Sequence, residues 1–318
     1  MPTLPGGTEV PTQGITNADQ EALTQALTAV SGGSSITAAP VTVASSAVAT
    51  ATLTAAITFG TASVASVSSV VVSNTTGSNT LAAIDLSQTS AGTDTGGTVL
   101  TNVVADSSLT SVVLTGTAAG NTTALFLDAS SGGKVIVGDA GNNFLVLGGS
   151  GTPSGTANTV VAGIGNDSVI GSSTNDIISS SAGNDIINGG AGNDSIVGGS
   201  GFDTLGGGAG NDTIVAGSGG SYIIGESGND SLVGGAGKDT FIFSPGDGND
   251  TVAGFDPTQD VLGFTSSNYG GSGTLDLASL ISNATVSGGN TILTLPDGST
   301  ITVQGVTGVS VSWFTSKG

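Results

Sequence analysis

Between residues 162 and 242 an apolar residue returns at every ninth position: Val169, Ile178, Ile187, Ile196, Leu205, Ile214, Ile223, Leu232 and Phe241. A period of nine matches neither the 3.6 of a helix nor the 2 of a strand, so each nine-residue block is composite. The eighth-place apolar residue predicts a strand of three with its central side chain inward, and the six polar places before it predict a turn. Glycines at the first, second and fourth places of most blocks suit a turn that needs positive φ and close backbone packing. Two blocks, 18 residues, return the chain to its starting point, which predicts one coil of a flattened solenoid with successive coils about 4.8 Å apart. Weaker copies precede the run, in "GDAGNNFLV" with Asn143 in the sixth place and around Asn158 with an insertion.

Upstream the pattern changes to β-branched bursts, Val41–Val43, Val70–Val72, Val103–Val104 and Val112–Leu114, between Gly, Asn and Ser. These predict short strands in a β-rich domain over residues 36–134, with a solenoid and a sandwich both open. Residues 1–35 read as a leader and one short capping helix, with Asn17 as N-cap, Gln20 closing a capping box, Leu23, Leu27 and Val30 on one face and Gly32 as the stop. The roll, weaker copies included, is expected over residues 135–250, and residues 251–318 are expected to form a β-stranded cap and export segment.

Charge raises the question that the pattern leaves open. The sixth place is aspartate in eight of the nine blocks, at Asp167, Asp176, Asp185, Asp194, Asp203, Asp212, Asp230 and Asp239, with Ser221 as the exception. Residues 18 apart stack on one edge of the solenoid. Like charges at about 4 Å repel by roughly 1 kcal/mol in water and about 4 kcal/mol at an effective dielectric of 20. Such a stack calls for cations, and the chain holds only Lys134, Lys238 and Lys317, with no arginine or histidine and a net charge of −20. A hard divalent ion between coils, held by carboxylates and backbone carbonyls, answers the repulsion. Calcium suits an irregular oxygen-only shell better than magnesium, and zinc finds neither histidine nor cysteine here.

The same balance excludes nucleic acid and anionic membrane surfaces as partners, since both need a basic face. No run of 18 apolar residues predicts a membrane-spanning helix, and "MPTLPGGTEVPTQG" has neither the basic nor the apolar part of a cleaved secretory signal.

The tandem pattern GGxGxDxUx, as in "GGAGNDSIV", resembles the RTX (repeats-in-toxin) nonapeptide family. "DTFIFSPGDGNDTVAGFDPTQDVLGF" and "GGNTILTLPDGSTITVQGV" are similar to the C-terminal segment that follows the repeats in RTX proteins. The resemblance implies an all-β fold built on a right-handed parallel β-roll, several calcium ions, type I secretion and folding at the bacterial cell surface or outside the cell. It also implies a ligand set: the eight repeat aspartates, Asp250 and Asn143. Backbone carbonyls of Gly165, Gly183, Gly189, Gly192, Gly198, Gly201, Gly207, Gly210, Gly225, Gly228, Gly234 and Gly237 complete it. Weak or missing sites are expected beside Ser221. Thr174, Ser180 and Ser181 depart from the family's glycines, which puts the nearby carbonyl geometry in question.

Without histidine there is no Ser-His-Asp triad, no HExxH zinc site and no imidazole base. Few acids and few aromatics upstream leave little for a glycosidase-like carboxylate pair, so the expected protein is not an enzyme. The reading that follows is a secreted calcium-binding structural protein that self-associates into a surface layer, filament or matrix component. The alternative is a calcium-dependent adhesin whose N-terminal β domain binds a cell-surface polysaccharide or a protein.

Overall fold

A computed structural model of the chain describes residues 133–138, 140–148, 156–265 and 275–315, and seven strands between residues 39 and 128. The helix expected near residues 17–32 lies outside the described residues. Residues 1–177 and 178–318 form two compact units.

In the first unit, the strands Ala39–Val43, Val67–Asn74, Leu100–Ala105, Thr122–Asp128, Asn142–Gly148 and Ser168–Ile170 form one parallel sheet in that order. The strands between them, Ala49–Thr52, Leu81–Asp85, Ser111–Thr115, Val135–Val137 and Asn158–Val161, form a second parallel sheet. Each strand thus pairs with the next but one, which is how a solenoid coils and not how a sandwich is connected. The coil is longer here than in the exact repeats: Val135 pairs with Thr159 and Phe144 with Ser168.

In the second unit the 18-residue coil is explicit. Ile187 pairs with Leu205 and Leu205 with Ile223 on one sheet, and Ile196 pairs with Ile214 on the other. All five side chains are almost completely buried, so the eighth-place residues form the expected inward columns. Beyond Ile242 the coils lengthen while the pairing persists, Leu232 with Val252 and Phe241 with Leu262. The roll then ends in a change of direction. Thr300–Val303 pairs in parallel with Asn249–Ala253 and antiparallel with Asn290–Thr294, which in turn carries Thr285–Ser287. A six-residue helix, Leu277–Ser282, is N-capped by Asp276 and buries Leu280. Trp313 closes the end, with its ring centroid 5.0 Å from that of Phe255. It is buried as core.

Close stacking fixes where glycine is obligatory. Gly210 has φ +141°, and a Cβ there would lie inside the van der Waals sphere of the Gly192 carbonyl oxygen one coil earlier. Gly246 also has positive φ, at +88°, but open space around it. Gly210→Ala therefore combines backbone strain with a backbone clash and is expected to cost about 3 kcal/mol. Gly246→Ala meets only the strain, about 1 kcal/mol. Urea unfolding of both variants in millimolar calcium checks the difference.

Candidate metal centre

Every sixth-place aspartate from Asp167 to Asp239 is buried at the end of its turn, at or immediately before the start of its strand. One carboxylate oxygen has the same use in each coil. Oδ1 accepts the backbone N–H of the sixth-place residue one coil earlier: Asp203 from Asp185 at 2.9 Å, Asp212 from Asp194 at 2.7 Å, Asp230 from Asp212 at 2.8 Å and Asp239 from Ser221 at 2.9 Å. Turn and ladder depend on each other, since the carboxylate satisfies a backbone donor that the tight turn leaves over.

The second oxygen is left with a different environment. Oδ2 of Asp203, Asp212 and Asp230 is fully buried without a hydrogen-bond donor. An anionic oxygen in that position is costly unless a positive charge faces it. Each Oδ2 lies against the first-place glycine of its own block, in the space a Cβ would fill: 2.6 Å from that point at Gly198 for Asp203 and 3.0 Å at Gly234 for Asp239, with Gly207 and Gly225 closer still to Asp212 and Asp230. The carbonyl of the first-place residue in the next coil approaches the same point. At Gly189, Asp194 Oδ2 is joined by the Gly207 carbonyl oxygen, 2.6 Å from the Cβ position. At Gly198, Asp203 Oδ2 is joined by the Ala216 oxygen at 2.6 Å.

A carboxylate oxygen and a carbonyl oxygen thus converge beside a residue with no side chain, and both are hard acceptors. Among the described residues no three acidic side chains converge on one point. A cation between coils therefore draws on carbonyls as well as carboxylates, and calcium, which accepts irregular oxygen shells, fits this donor set.

The electrostatics agree with the geometry. Burial first, with the charges of Asp230 and Glu226 second, pushes the Asp212 carboxyl up to about 7. Burial, with Asp230 and Asp247 beside it, takes Asp250 to about 7. Burial, with Glu226 nearby, takes Asp230 to about 6. Asp203, Asp239 and Asp260 are raised for the same first reason.

The expected ligands do not all have the same surroundings. Asp250 follows Asp230 in the ladder, accepting the Asp230 N–H at 3.0 Å. Ser221 replaces a carboxylate with a buried hydroxyl that accepts the Asp203 N–H only at 3.4 Å, so this edge has one fewer anionic oxygen. Asp176 and Asp185 accept hydrogen bonds from Ser172 and Ser180 hydroxyls, and Asn143 donates its amide to Asp167. Of the glycine carbonyls, that of Gly207 faces an aspartate oxygen. Those of Gly183, Gly192, Gly201, Gly210 and Gly228 press against the backbone of the following coil.

Asp260 was not foreseen. It is buried and accepts the Asp239 N–H at 2.8 Å, continuing the edge after the nine-residue phasing ends. Its signal is the Asp-x-apolar triplet that survives as Asp250-Thr251-Val252 and Asp260-Val261-Leu262.

The family described as RTX calcium-binding nonapeptide repeat (4 copies) matches residues 154–183, 170–205 and 206–241. Comparison with curated proteins found no match. Among solved structures, the extracellular lipase LipA from Serratia marcescens is similar at 17% identity over 69% of this chain and 44% of that chain, with a TM-score of 0.31. The chain therefore spans less than half of the lipase, and so low a score carries no argument about activity.

The raised carboxyls set the sign of a pH dependence. Unfolded aspartates ionise near 3.8, whereas in the folded, metal-free roll Asp230 and Asp212 hold their protons to about 6 and about 7. Their contribution to stability is full below 3.8 and is lost as pH rises through those folded values. Metal-free protein is therefore expected to have a lower urea midpoint at pH 8 than at pH 5. An unchanged or higher midpoint at pH 8 contradicts the burial of these groups.

Proposed function

We propose, for a chain that belongs through residues 154–241 to the RTX calcium-binding repeat family, a structural protein exported by type I secretion that folds on meeting external calcium and assembles with copies of itself. The observation that carries the reading is the row of buried, donor-less oxygens at Asp203, Asp212 and Asp230, each against a glycine whose Cβ would collide with it. Extracellular calcium sites bind at about 10⁻⁴ to 10⁻³ M, so a roll that depends on them stays unformed in calcium-poor cytosol and forms outside. Export of an unfolded chain and folding after export follow from one equilibrium.

The residues chiefly provide positions. Oδ1 locks one coil to the next through a backbone N–H, and Oδ2 with the first-place carbonyls would hold calcium, which supplies the positive charge the chain lacks. The acids of the roll serve this ladder, and with no histidine in the sequence the reading is non-catalytic.

Support for self-association comes from the outer face of the second unit. There Phe202 and Tyr222 are exposed and pack edge to face, with ring centroids 5.2 Å apart. They border a groove of about 990 Å³ that also includes Ile224, Val261 and Phe264. An exposed apolar patch rimmed by threonines on a regular sheet face suits contact with another copy of the same surface.

Electron microscopy and sedimentation of the purified chain with and without millimolar calcium test the proposal. Calcium-dependent sheets or filaments are expected, and Tyr222→Asp is expected to reduce assembly while leaving calcium binding intact. Monomers that persist in millimolar calcium reject self-assembly, and glycan binding by those monomers favours the adhesin.

A further inference from the structure

We propose that the coils of residues 135–177 close without calcium, because amides and hydroxyls of the chain itself stand where a cation is needed further on. The inference rests on the reading that the downstream coils take calcium, and it concerns the residues that break the repeat.

The comparison is between equivalent points on different coils. At Gly189, the space a Cβ would fill is bordered by Asp194 Oδ2 and the carbonyl of Gly207, the first-place residue of the next coil. At Gly138, the first place of an earlier coil, the corresponding space is bordered by the carbonyl of Ala162 and by Asn143 Nδ2, 3.0 Å away. Two acceptors have become an acceptor and a donor. Asn143 Nδ2 donates to the Ala162 oxygen at 3.1 Å, to the Gly141 oxygen at 3.1 Å and to Asp167 Oδ1 at 3.2 Å. The amide nitrogen ties carbonyls and a carboxylate together as a cation would, and replacing Asp by neutral Asn removes half of the charge that repels.

The other edge of the same unit repeats the device with different residues. Asn158 Oδ1 accepts the Lys134 N–H at 3.0 Å, and its Nδ2 donates to Asp176 Oδ1 at 2.7 Å, Ser172 Oγ at 3.1 Å and Thr174 Oγ1 at 3.2 Å. Asp176 Oδ2 accepts the Ser172 N–H at 2.6 Å. Ser172 and Thr174 occupy the second and fourth places, where the repeat prefers glycine. Both oxygens of Asp176 are thereby engaged by protein donors. In the second unit Oδ2 of Asp203, Asp212 and Asp230, stacked among other aspartates, has no donor; in the first unit Oδ2 of Asp167 is also buried without a hydrogen bond, but the residue stacked before it is the neutral Asn143, which engages its Oδ1. Serine and threonine at glycine positions are therefore compensations that accompany asparagine at the aspartate position.

On this account calcium is needed for the coils of the second unit and not for those of residues 135–177.

Hydrogen exchange by mass spectrometry on the full chain, in 5 mM calcium and in EDTA, tests the division. Peptides within residues 135–170 are expected to keep their protection in EDTA to within about threefold, while those within 195–233 exchange about 100-fold faster or more. Loss of protection in both regions overturns this proposal and leaves the calcium reading standing. Retained protection in both regions overturns the calcium reading and the division with it. The double variant Asn143→Asp, Asn158→Asp is expected to lose protection within 135–170 in EDTA and to regain it in calcium, so that a folding defect is recognised by its rescue. Protection of that variant in EDTA equal to the parent's means that the amides do not replace the cation.

Discussion

The structure depends on one buried carboxylate oxygen per coil. Its partner oxygen is fixed by a backbone N–H of the preceding coil, as in the 2.7 Å contact from Asp194 to Asp212. Oδ2 of Asp212 is then held in the interior, against Gly207, with no donor from the protein. Much else in the repeat follows from that arrangement. The first place is glycine because any Cβ would occupy the space beside Oδ2, and the fourth is glycine because the fourth-place carbonyl of the preceding coil stands where its Cβ would be. Eighteen residues per coil keep both edges in register, so that the oxygens of Asp194 and Asp203 meet the carbonyls of Gly207 and Ala216 in the next coil. The apolar columns supply the stabilisation that holds these charges inside, and they do so only while the charges are neutralised.

Most of this was legible in the sequence because its causes are local and periodic. Period nine at Val169 to Phe241 specified the strands, their inward residues and the 18-residue coil, and the register of Ile187 with Leu205 and Leu205 with Ile223 agrees. The aspartate edges, and their interruption by a hydroxyl at Ser221, followed from the same arithmetic. What was not legible depends on contacts between coils of unequal length. Asp260 lies 21 residues after Asp239, so periodicity alone did not reveal it. Ser172, Thr174 and Ser180 read as lapses from a glycine pattern, because their meaning lies in the hydroxyls they bring to Asp176 and Asp185. For residues 36–134 the bursts of valine predicted strands but left their connection open. Parallel pairing of Val67–Asn74 with Leu100–Ala105 is a non-local fact that no turn signal there encodes.

The proposed coupling of the fold to an external ion also accounts for how so acidic a chain buries its carboxyls. With a net charge of −20 and three lysines, intramolecular ion pairs cannot neutralise the interior. A diffuse surface charge would be screened by salt, but buried carboxyls are not. They either keep their protons, as Asp212 and Asp250 do up to about 7, or take a bound cation. The choice between proton and cation is thus built into the coil.

The most direct measurement is a crystal structure of the protein grown in calcium, with anomalous scattering used to identify the ions. The account predicts a calcium in the space beside Gly189, bound by Asp194 Oδ2 and the Gly207 carbonyl, and its equivalents beside Gly207 and Gly225. An aspartate Oδ2 at these positions turned out to solvent, or satisfied by water alone with no anomalous peak, would contradict it.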